Sequence, residues 1–119
     1  MIKKKCVKEW STTTNFIDQN DNFVGYDVSS QHCCESAYYK FYQKSGDDFT
    51  SVEFEDLPED VCFIGLTDFS IGDDNSNYFN SICFEITGGY YLELVNIHNG
   101  YYAHVFEYKI NLNQEEGHL

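Results

Sequence analysis

The chain has 119 residues, of which 42% are hydrophobic and 18% aromatic, and its formal net charge is −13. This length predicts one domain over residues 1–119 with a core that needs neither metal nor disulfides, and the aromatic content argues against disorder. The charge disfavours nucleic acid or an anionic membrane as a direct ligand and favours a cationic partner.

The negative charge is concentrated in one uninterrupted part of the sequence. Between Ser45 and Tyr108 there are thirteen carboxylates and no lysine, and the chain contains no arginine. Outside this stretch, seven acidic residues balance the seven lysines. The whole of the net charge therefore belongs to the segment between these two residues.

Residues 1–13 form a basic lead-in that contains Lys3, Lys4, Lys5 and Lys8. No apolar run of signal-peptide or membrane-helix length follows it, so we expect a cytoplasmic protein without membrane contact. The five cysteines are then expected to be reduced thiols. Abundant Tyr, Phe, Val and Ile and a single proline favour strands.

In chain order, short strands are predicted at residues 15–18 and 23–29. Residues 34–42 fit a helix or a strand, and their aromatic content favours the strand. A polar loop at 45–48 precedes a strand at 52–55, whose two glutamates are expected to be exposed because they alternate with apolar residues. Residues 61–66 form a short apolar run that we expect to be buried, and residues 72–77 have the composition of a loop.

The last third of the chain gives the clearest pattern. Three strands are predicted, at residues 81–87, Tyr90–Ile97 and 101–110, and Gly88-Gly89 and Asn99-Gly100 separate them as two-residue hairpin turns. This predicts an antiparallel meander sheet followed by a solvated tail at 111–119. The predicted fold is a single compact domain, mostly β or α+β.

Two-residue turns fix a register in which Phe84 faces Glu93 and Val95 faces His104. One sheet face then becomes the core, with Ile82, Phe84, Ile86, Tyr91, Val95, Ile97, Tyr102, Phe106 and Tyr108. Glu93 and His104 are diagonal neighbours on that face. They are interpreted as a buried polar pair, with acid–base chemistry as the alternative.

Residues 31–35 read Gln-His-Cys-Cys-Glu and are rich in groups that can bind zinc. A second, spaced pair of ligands is missing from the sequence, so we predict no metal and no cofactor. A cysteine nucleophile at Cys33 or Cys34, with His104 and Glu93 in support, is an alternative that the spacing does not require. The preferred interpretation is a strand start with buried cysteines, and no catalytic residue is assigned.

The motif His32-Cys33-Cys34-Glu35 resembles the core motif of a small domain of unknown function found in phage and bacterial genomes. Residues 87–94 (Thr-Gly-Gly-Tyr-Tyr-Leu-Glu-Leu) and 99–103 (Asn-Gly-Tyr-Tyr-Ala) are similar to that family's closing hairpin, which ends in Asn-Gly-Tyr-Tyr. Residues 43–80 depart from the family pattern because they are longer and more acidic. The resemblance implies a phage-linked, compact α+β or mostly-β domain. It implies no particular activity.

The charge and the solitary domain predict a small non-enzymatic inhibitor that binds a cationic, nucleic-acid-handling host protein, such as a CRISPR effector. Duplex DNA carries one charge per about 1.7 Å, so thirteen carboxylates match roughly 22 Å of duplex and permit nucleic-acid mimicry. The predicted partner-binding residues are Asp47, Asp48, Glu53, Glu55, Asp56, Glu59, Asp60, Asp73 and Asp74.

A binding module for a small, nucleotide-like ligand is the alternative function, and an enzyme ranks third. In this alternative an aromatic pocket would hold a base, and its lining is predicted to be Tyr38, Tyr39, Tyr90, Tyr101 and Tyr102. The lysines that a phosphate would need lie almost entirely in residues 3–8 and at Lys40, Lys44 and Lys109, which counts against this alternative.

Overall fold

The computed structural model describes residues 1–9, 11–29, 36–72, 79–97 and 103–119, and of Phe79 only the backbone. Within these ranges the chain forms ten strands and one 3-10 helix, and it contains no α-helix. The mostly-β prediction is therefore confirmed. The strands are β1 (Ile2–Val7), β2 (Thr12–Ile17), β3 (Phe23–Tyr26), β4 (Ser36–Ser45), β5 (Asp48–Val52), β6 (Phe63–Leu66), β7 (Phe79–Ile86), β8 (Tyr90–Ile97), β9 (Val105–Ile110) and β10 (Asn113–His118).

These strands build two antiparallel five-stranded sheets. Sheet A has the order β1-β2-β3-β9-β10, and sheet B has the order β5-β4-β8-β7-β6. Ring contacts join the inner faces of the two sheets: Phe16 and Phe41 have centroids 5.0 Å apart, and Phe84 and Tyr108 have centroids 5.2 Å apart. The architecture is a β-sandwich with one shared core.

The core consists of inward side chains from both sheets, because successive side chains in a strand alternate between its faces. Its buried members are Phe16, Val24, Tyr26, Ala37, Phe41, Val61, Phe63, Phe84, Ile86, Leu92, Leu94, Tyr108 and Ile110. A buried hydrogen bond also crosses the sandwich, since the Tyr26 hydroxyl donates to the backbone oxygen of Val95 at 2.9 Å.

The turn between β2 and β3 is held by the buried carboxylate of Asp18. Backbone N–H groups of Asn20 and Asn22 donate to its Oδ1 at 2.9 and 3.0 Å. The N–H of Phe63 donates to its Oδ2 at 2.9 Å. Asp18 therefore joins a turn of sheet A to the first residue of β6 in sheet B.

The strand predicted at residues 52–55 is wrong. β5 ends at Val52, and a 3-10 helix follows at Phe54–Asp56. The N–H of Asp56 donates to the backbone oxygen of Glu53 at 3.0 Å, and the Asp56 carboxylate accepts the Glu53 N–H in return. This local capping turns the chain out of the sheet, and both glutamates are exposed.

The chain termini are also part of the sheets. The basic lead-in contains β1, which pairs with β2 from Ile2↔Ile17 to Val7↔Thr12. Residues 111–119, predicted as a solvated tail, contain β10, an edge strand whose side chains are mostly exposed. The apolar run at 61–66 is half buried, because Ile64 and Leu66 point to solvent while Val61 and Phe63 point inward.

The predicted register of the β7–β8 hairpin is wrong by one residue. Ile86 pairs with Tyr90 across a loop of three residues, in which Gly88 and Gly89 adopt φ of +83° and +82°. Phe84 therefore faces Leu92, and Cys83 faces Glu93. A shift of one residue exchanges the two faces of a strand, so in β8 Leu92 and Leu94 enter the core, whereas Tyr91 and Glu93 lie on the outer face of sheet B.

The predicted pairing of β8 with β9 is wrong as well. β8 lies between β4 and β7 in sheet B, and β9 lies between β3 and β10 in sheet A. Val95 therefore pairs with Tyr38 and Ser81, and not with His104. The Asn99-Gly100 turn lies outside the described residues.

Candidate functional site

Seven of the predicted partner-binding residues lie between the β4–β5 turn and the start of β6, and we call them the acidic edge. Asp47 and Asp48 lie at the β4–β5 turn, and the others follow the far end of the edge strand β5. All seven are exposed. The acidic edge consists of Asp47, Asp48, Glu53, Glu55, Asp56, Glu59 and Asp60.

β5 separates the acidic edge into two groups. Asp48 and Glu53 are five residues apart along an extended chain, which corresponds to roughly 17 Å. The carboxylates therefore form two groups, one at each end of β5, and not one cluster. Asp73 and Asp74, predicted for the same surface, lie outside the described residues.

No carboxylate of the acidic edge forms an ion pair within the described part of the chain, where the one salt bridge joins Lys8 to Glu107. Three lysines instead lie over aromatic rings. Their Nζ atoms are 5.5 to 6.0 Å from ring centroids, in the pairs Lys3–Phe54, Lys40–Tyr42 and Lys44–Phe49. The negative charge of this edge is thus left to interact with solvent or a partner.

The amino-terminal strand borders one part of the acidic edge. The Met1 amine donates to the backbone oxygen of Glu59 at 2.8 Å, and Lys3 lies over Phe54. Lys3 of β1 therefore lies beside the group after β5, and Lys44 lies over Phe49 beside the β4–β5 turn.

The structure separates the tyrosines of the predicted aromatic pocket. Tyr38 and Tyr39 are consecutive in β4 and point to opposite faces of sheet B. Tyr90 pairs with Gln43, five positions along β4 from Tyr38 and thus roughly 17 Å away. Tyr101 and Tyr102 lie outside the described residues. The three described tyrosines do not line a common pocket.

Glu93 is fully buried on the outer face of sheet B, under the segment 67–72. The Ser70 hydroxyl and the Ile71 N–H donate to its Oε2 at 3.0 and 2.9 Å, and the Gly72 N–H donates to its Oε1 at 2.8 Å. Phe69 in the same segment lies over Tyr91, with ring centroids 5.8 Å apart. Glu93 thus fixes a covering segment that periodicity in the sequence did not reveal.

Burial under this segment changes the ionisation of its neighbours. It raises the pKa of Cys83 to about 11, and the negative charge of Glu93 adds to that shift. Burial also raises the pKa of Tyr42 to about 12, again with a contribution from Glu93. These raised pKa values keep Cys83 and Tyr42 protonated at neutral pH. The Cys83 thiol is therefore a weak nucleophile at neutral pH.

His104 directly precedes β9 of sheet A and has other partners. Its Nδ1 is 2.7 Å from the backbone oxygen of Asp27, and its ring lies edge-on to Tyr26. Glu93 is bound by residues 70–72 instead. The prediction that Glu93 and His104 are neighbours is therefore wrong, and with it the acid–base pair.

The motif His32-Cys33-Cys34-Glu35 lies outside the described residues, so its role stays a prediction. Among the residues that are described, Cys6, Cys62 and Cys83 are free thiols. No group of three or more His, Cys, Asp or Glu side chains within the same ranges is arranged to hold a metal ion.

Comparison with protein-family models, with curated proteins and with solved structures finds no match for the chain. Within the described ranges, no helix is long and apolar enough to cross a membrane.

Proposed function

We propose that the protein is a non-enzymatic inhibitor that binds a cationic, nucleic-acid-handling protein through the acidic edge. The observation that carries this proposal is the exposure of seven carboxylates between the β4–β5 turn and the start of β6, without an ion pair among the described residues. A surface of this kind is most stable when a partner supplies the missing cations.

The amount of charge suits a nucleic-acid-binding cleft. The seven exposed carboxylates of the acidic edge correspond to the charge on roughly 12 Å of duplex. The folded molecule measures 37 × 35 × 26 Å, so it is large enough to present that charge over such a length. The spread of the acidic edge along β5 favours an elongated, DNA-like distribution over a compact anionic site.

Long-range attraction would act mainly on the rate of association. Complementary charges accelerate encounter at low salt, and added salt screens this effect within about 10 Å at 0.1 M. Each exposed carboxylate is expected to contribute little alone. The setting we propose is a host cytoplasm in which a phage-type protein blocks a defence nuclease or a CRISPR effector.

Affinity capture from host lysate tests the proposal. The wild-type protein is compared with a variant carrying Asp47→Asn, Asp48→Asn, Glu55→Gln and Glu59→Gln. We expect the wild type to retain a nucleic-acid-binding protein at low salt, to release it at high salt and to release it to added duplex DNA. Retention that is equal for both proteins and insensitive to salt and DNA would contradict the proposal.

A further inference from the structure

Residues 67–72 lie over the outer face of sheet B without regular secondary structure, and we call them the strap. None of the six residues is fully buried, and Phe69 is 44% exposed. Beneath the strap, Tyr42, Cys83 and Tyr91 form a small buried cluster that is separate from the core between the two sheets. The strap therefore covers a cluster of its own and adds no side chain to the main core.

The hydrogen bonds that hold the strap converge on one carboxylate. Thr67 still belongs to the sheet, since its N–H donates to the backbone oxygen of Cys83 at 2.9 Å. Beyond Thr67, four hydrogen bonds join the strap to sheet B among the described residues. Three of them end on Glu93, and the fourth joins the hydroxyls of Ser70 and Ser81 at 3.1 Å. Glu93 is therefore the main attachment point of the strap.

The charge of Glu93 is stabilised by these donors and not by a cation. Lys40 pairs with Glu93 in the sheet, but its ammonium lies 5.8 Å from the centroid of the Tyr42 ring. In the part of the chain that the structure describes, the one ion pair is that of Lys8 with Glu107. If one donor leaves, water reaches the carboxylate and weakens the remaining bonds. The three bonds to Glu93 are therefore expected to break together.

Apolar contacts of the strap are few and lie towards the acidic edge. The Phe69 ring is 5.8 Å from that of Tyr91 and 5.9 Å from that of Phe49. Ile71 packs against the small cluster and is itself only half buried. Phe49 directly follows Asp48 in β5, so the surface under the strap adjoins the β4–β5 turn.

We propose that the strap opens as one unit while both sheets stay folded, that Glu93 is its latch, and that opening uncovers Cys83 and the aromatic rings around it. Segments with few buried apolar contacts open locally as cooperative units, and the strap has this property. In its open form the protein presents an aromatic surface next to the acidic edge. The inference goes beyond the proposed function and does not depend on it, because every test below uses the protein without a partner.

Cys83 reports on opening, because it is 3% exposed and lies under the strap. Iodoacetamide is added to the wild type at urea concentrations below the unfolding transition, and peptide mass spectrometry follows each cysteine separately. Labelling through strap opening should depend only weakly on urea, because opening exposes little surface. If the labelling of Cys83 has the full urea dependence of global unfolding, the inference is wrong.

Amide hydrogen exchange in the wild type gives a second readout that does not involve the thiol. The protection factors of the Ile71 and Gly72 amides should be lower than that of Leu94, inside sheet B, by about tenfold or more. They should also share the weak urea dependence of Cys83 labelling. Equal protection of the strap and of Leu94 would show that the strap opens only when the whole domain unfolds.

Variants test whether Glu93 is the latch. Glu93→Gln should raise the labelling rate of Cys83 by about tenfold or more, because a side-chain amide places a donor against the donors of the strap. Labelling of the half-exposed Cys6 and Cys62 should stay within about twofold of the wild type. The control is Glu85→Gln, which removes the same charge from β7 and breaks no hydrogen bond to the strap among the described residues.

Ser70→Ala separates the latch from the ionisation of the thiol. This variant removes a donor to Glu93 but leaves the charge of Glu93 in place, and it should raise Cys83 labelling by about threefold or more. No rise in either Ser70→Ala or Glu93→Gln would contradict the role of Glu93. An equal rise in Glu85→Gln and Glu93→Gln would also contradict it, because charge alone would then explain the reactivity of Cys83.

Discussion

The backbone N–H of Gly72 donates to Oε1 of Glu93 at 2.8 Å, and this bond fastens the segment 67–72 over the outer face of sheet B. The acceptor is fully buried, and its other oxygen accepts from Ser70 and Ile71. A carboxylate without solvent contact is stable only with such donors, so the segment and the glutamate depend on each other.

Glu93→Leu should lower the free energy of unfolding by about 3 kcal/mol, because it leaves the N–H groups of Ile71 and Gly72 without their acceptor. Urea unfolding followed by circular dichroism measures this. Glu116→Leu, an exposed site in β10, is the matched control and should cost well under 1 kcal/mol. Equal stability of the two variants would show that the Glu93 contacts contribute little.

Gly25 and Asn15 are predicted to be energetically coupled. A Cβ atom at Gly25 would lie 2.3 Å from Oδ1 of Asn15, which is buried. Gly25→Ala should therefore destabilise the fold by about 1–3 kcal/mol, and the addition of Asn15→Ala should recover part of that loss because it removes the clash. Gly65→Ala, where nothing lies within 4 Å, is the control. Strict additivity of the Gly25 and Asn15 changes would contradict the predicted coupling.

Stability is predicted to fall at alkaline pH. Burial raises the pKa of Cys83 from 9.0 to about 11 and that of Tyr108 from 10.0 to about 12, the latter with help from its hydrogen bond to Glu115. As the pH rises, the unfolded chain therefore loses the Cys83 and Tyr108 protons at a lower pH than the folded protein does. Their contribution is fully present below about pH 9 and is lost as the pH rises towards 11 and 12.

Urea unfolding at about pH 8, 9.5 and 10.5 checks this alkaline decline. Cys83→Ala and Tyr108→Phe should each make the decline shallower, because each removes one group with a raised pKa. A free energy of unfolding that is constant over this range in the wild type would contradict the assignment.

Strand positions were more predictable than strand partners. The turn signal at Gly88-Gly89 located β7 and β8, but whether Thr87 joins the loop decides the register, and that choice reverses which face of β8 is buried. The pairing of β3 with β9 joins residues eighty or more positions apart and has no local signature. The periodicity of each segment did not specify its register or its partner strands, which are determined by packing between distant segments.

The candidate site was also predictable only in part. Composition alone indicated that the carboxylates between residues 47 and 60 are exposed, because charged side chains are rarely buried. The early end of β5 at Val52, which leaves β4 longer than its neighbour, could not be predicted. That end depends on the Glu53–Asp56 capping contacts, whose pattern also fits an alternating strand.

Neutralising the acidic edge should not destabilise the fold. Asp47→Asn, Asp48→Asn, Glu55→Gln and Glu59→Gln remove no ion pair among the described residues and reduce like-charge repulsion. Thermal unfolding at low salt should give a melting temperature equal to or above that of the wild type. Glu107→Gln, which loses the Lys8 ion pair, is the control that should not gain stability. A marked fall in the four-residue variant would reveal a structural role for these carboxylates.

The most direct test of the account is the affinity of that four-residue variant for the captured partner, measured as binding isotherms at low and high salt. We predict binding weakened by about tenfold or more at low salt, through a slower association rate, and a smaller difference from the wild type at high salt. Single Asp47→Asn or Glu55→Gln changes should be mild. Unchanged affinity of the four-residue variant, with no salt dependence in either protein, would mean that the acidic edge serves solubility and would contradict the proposed function.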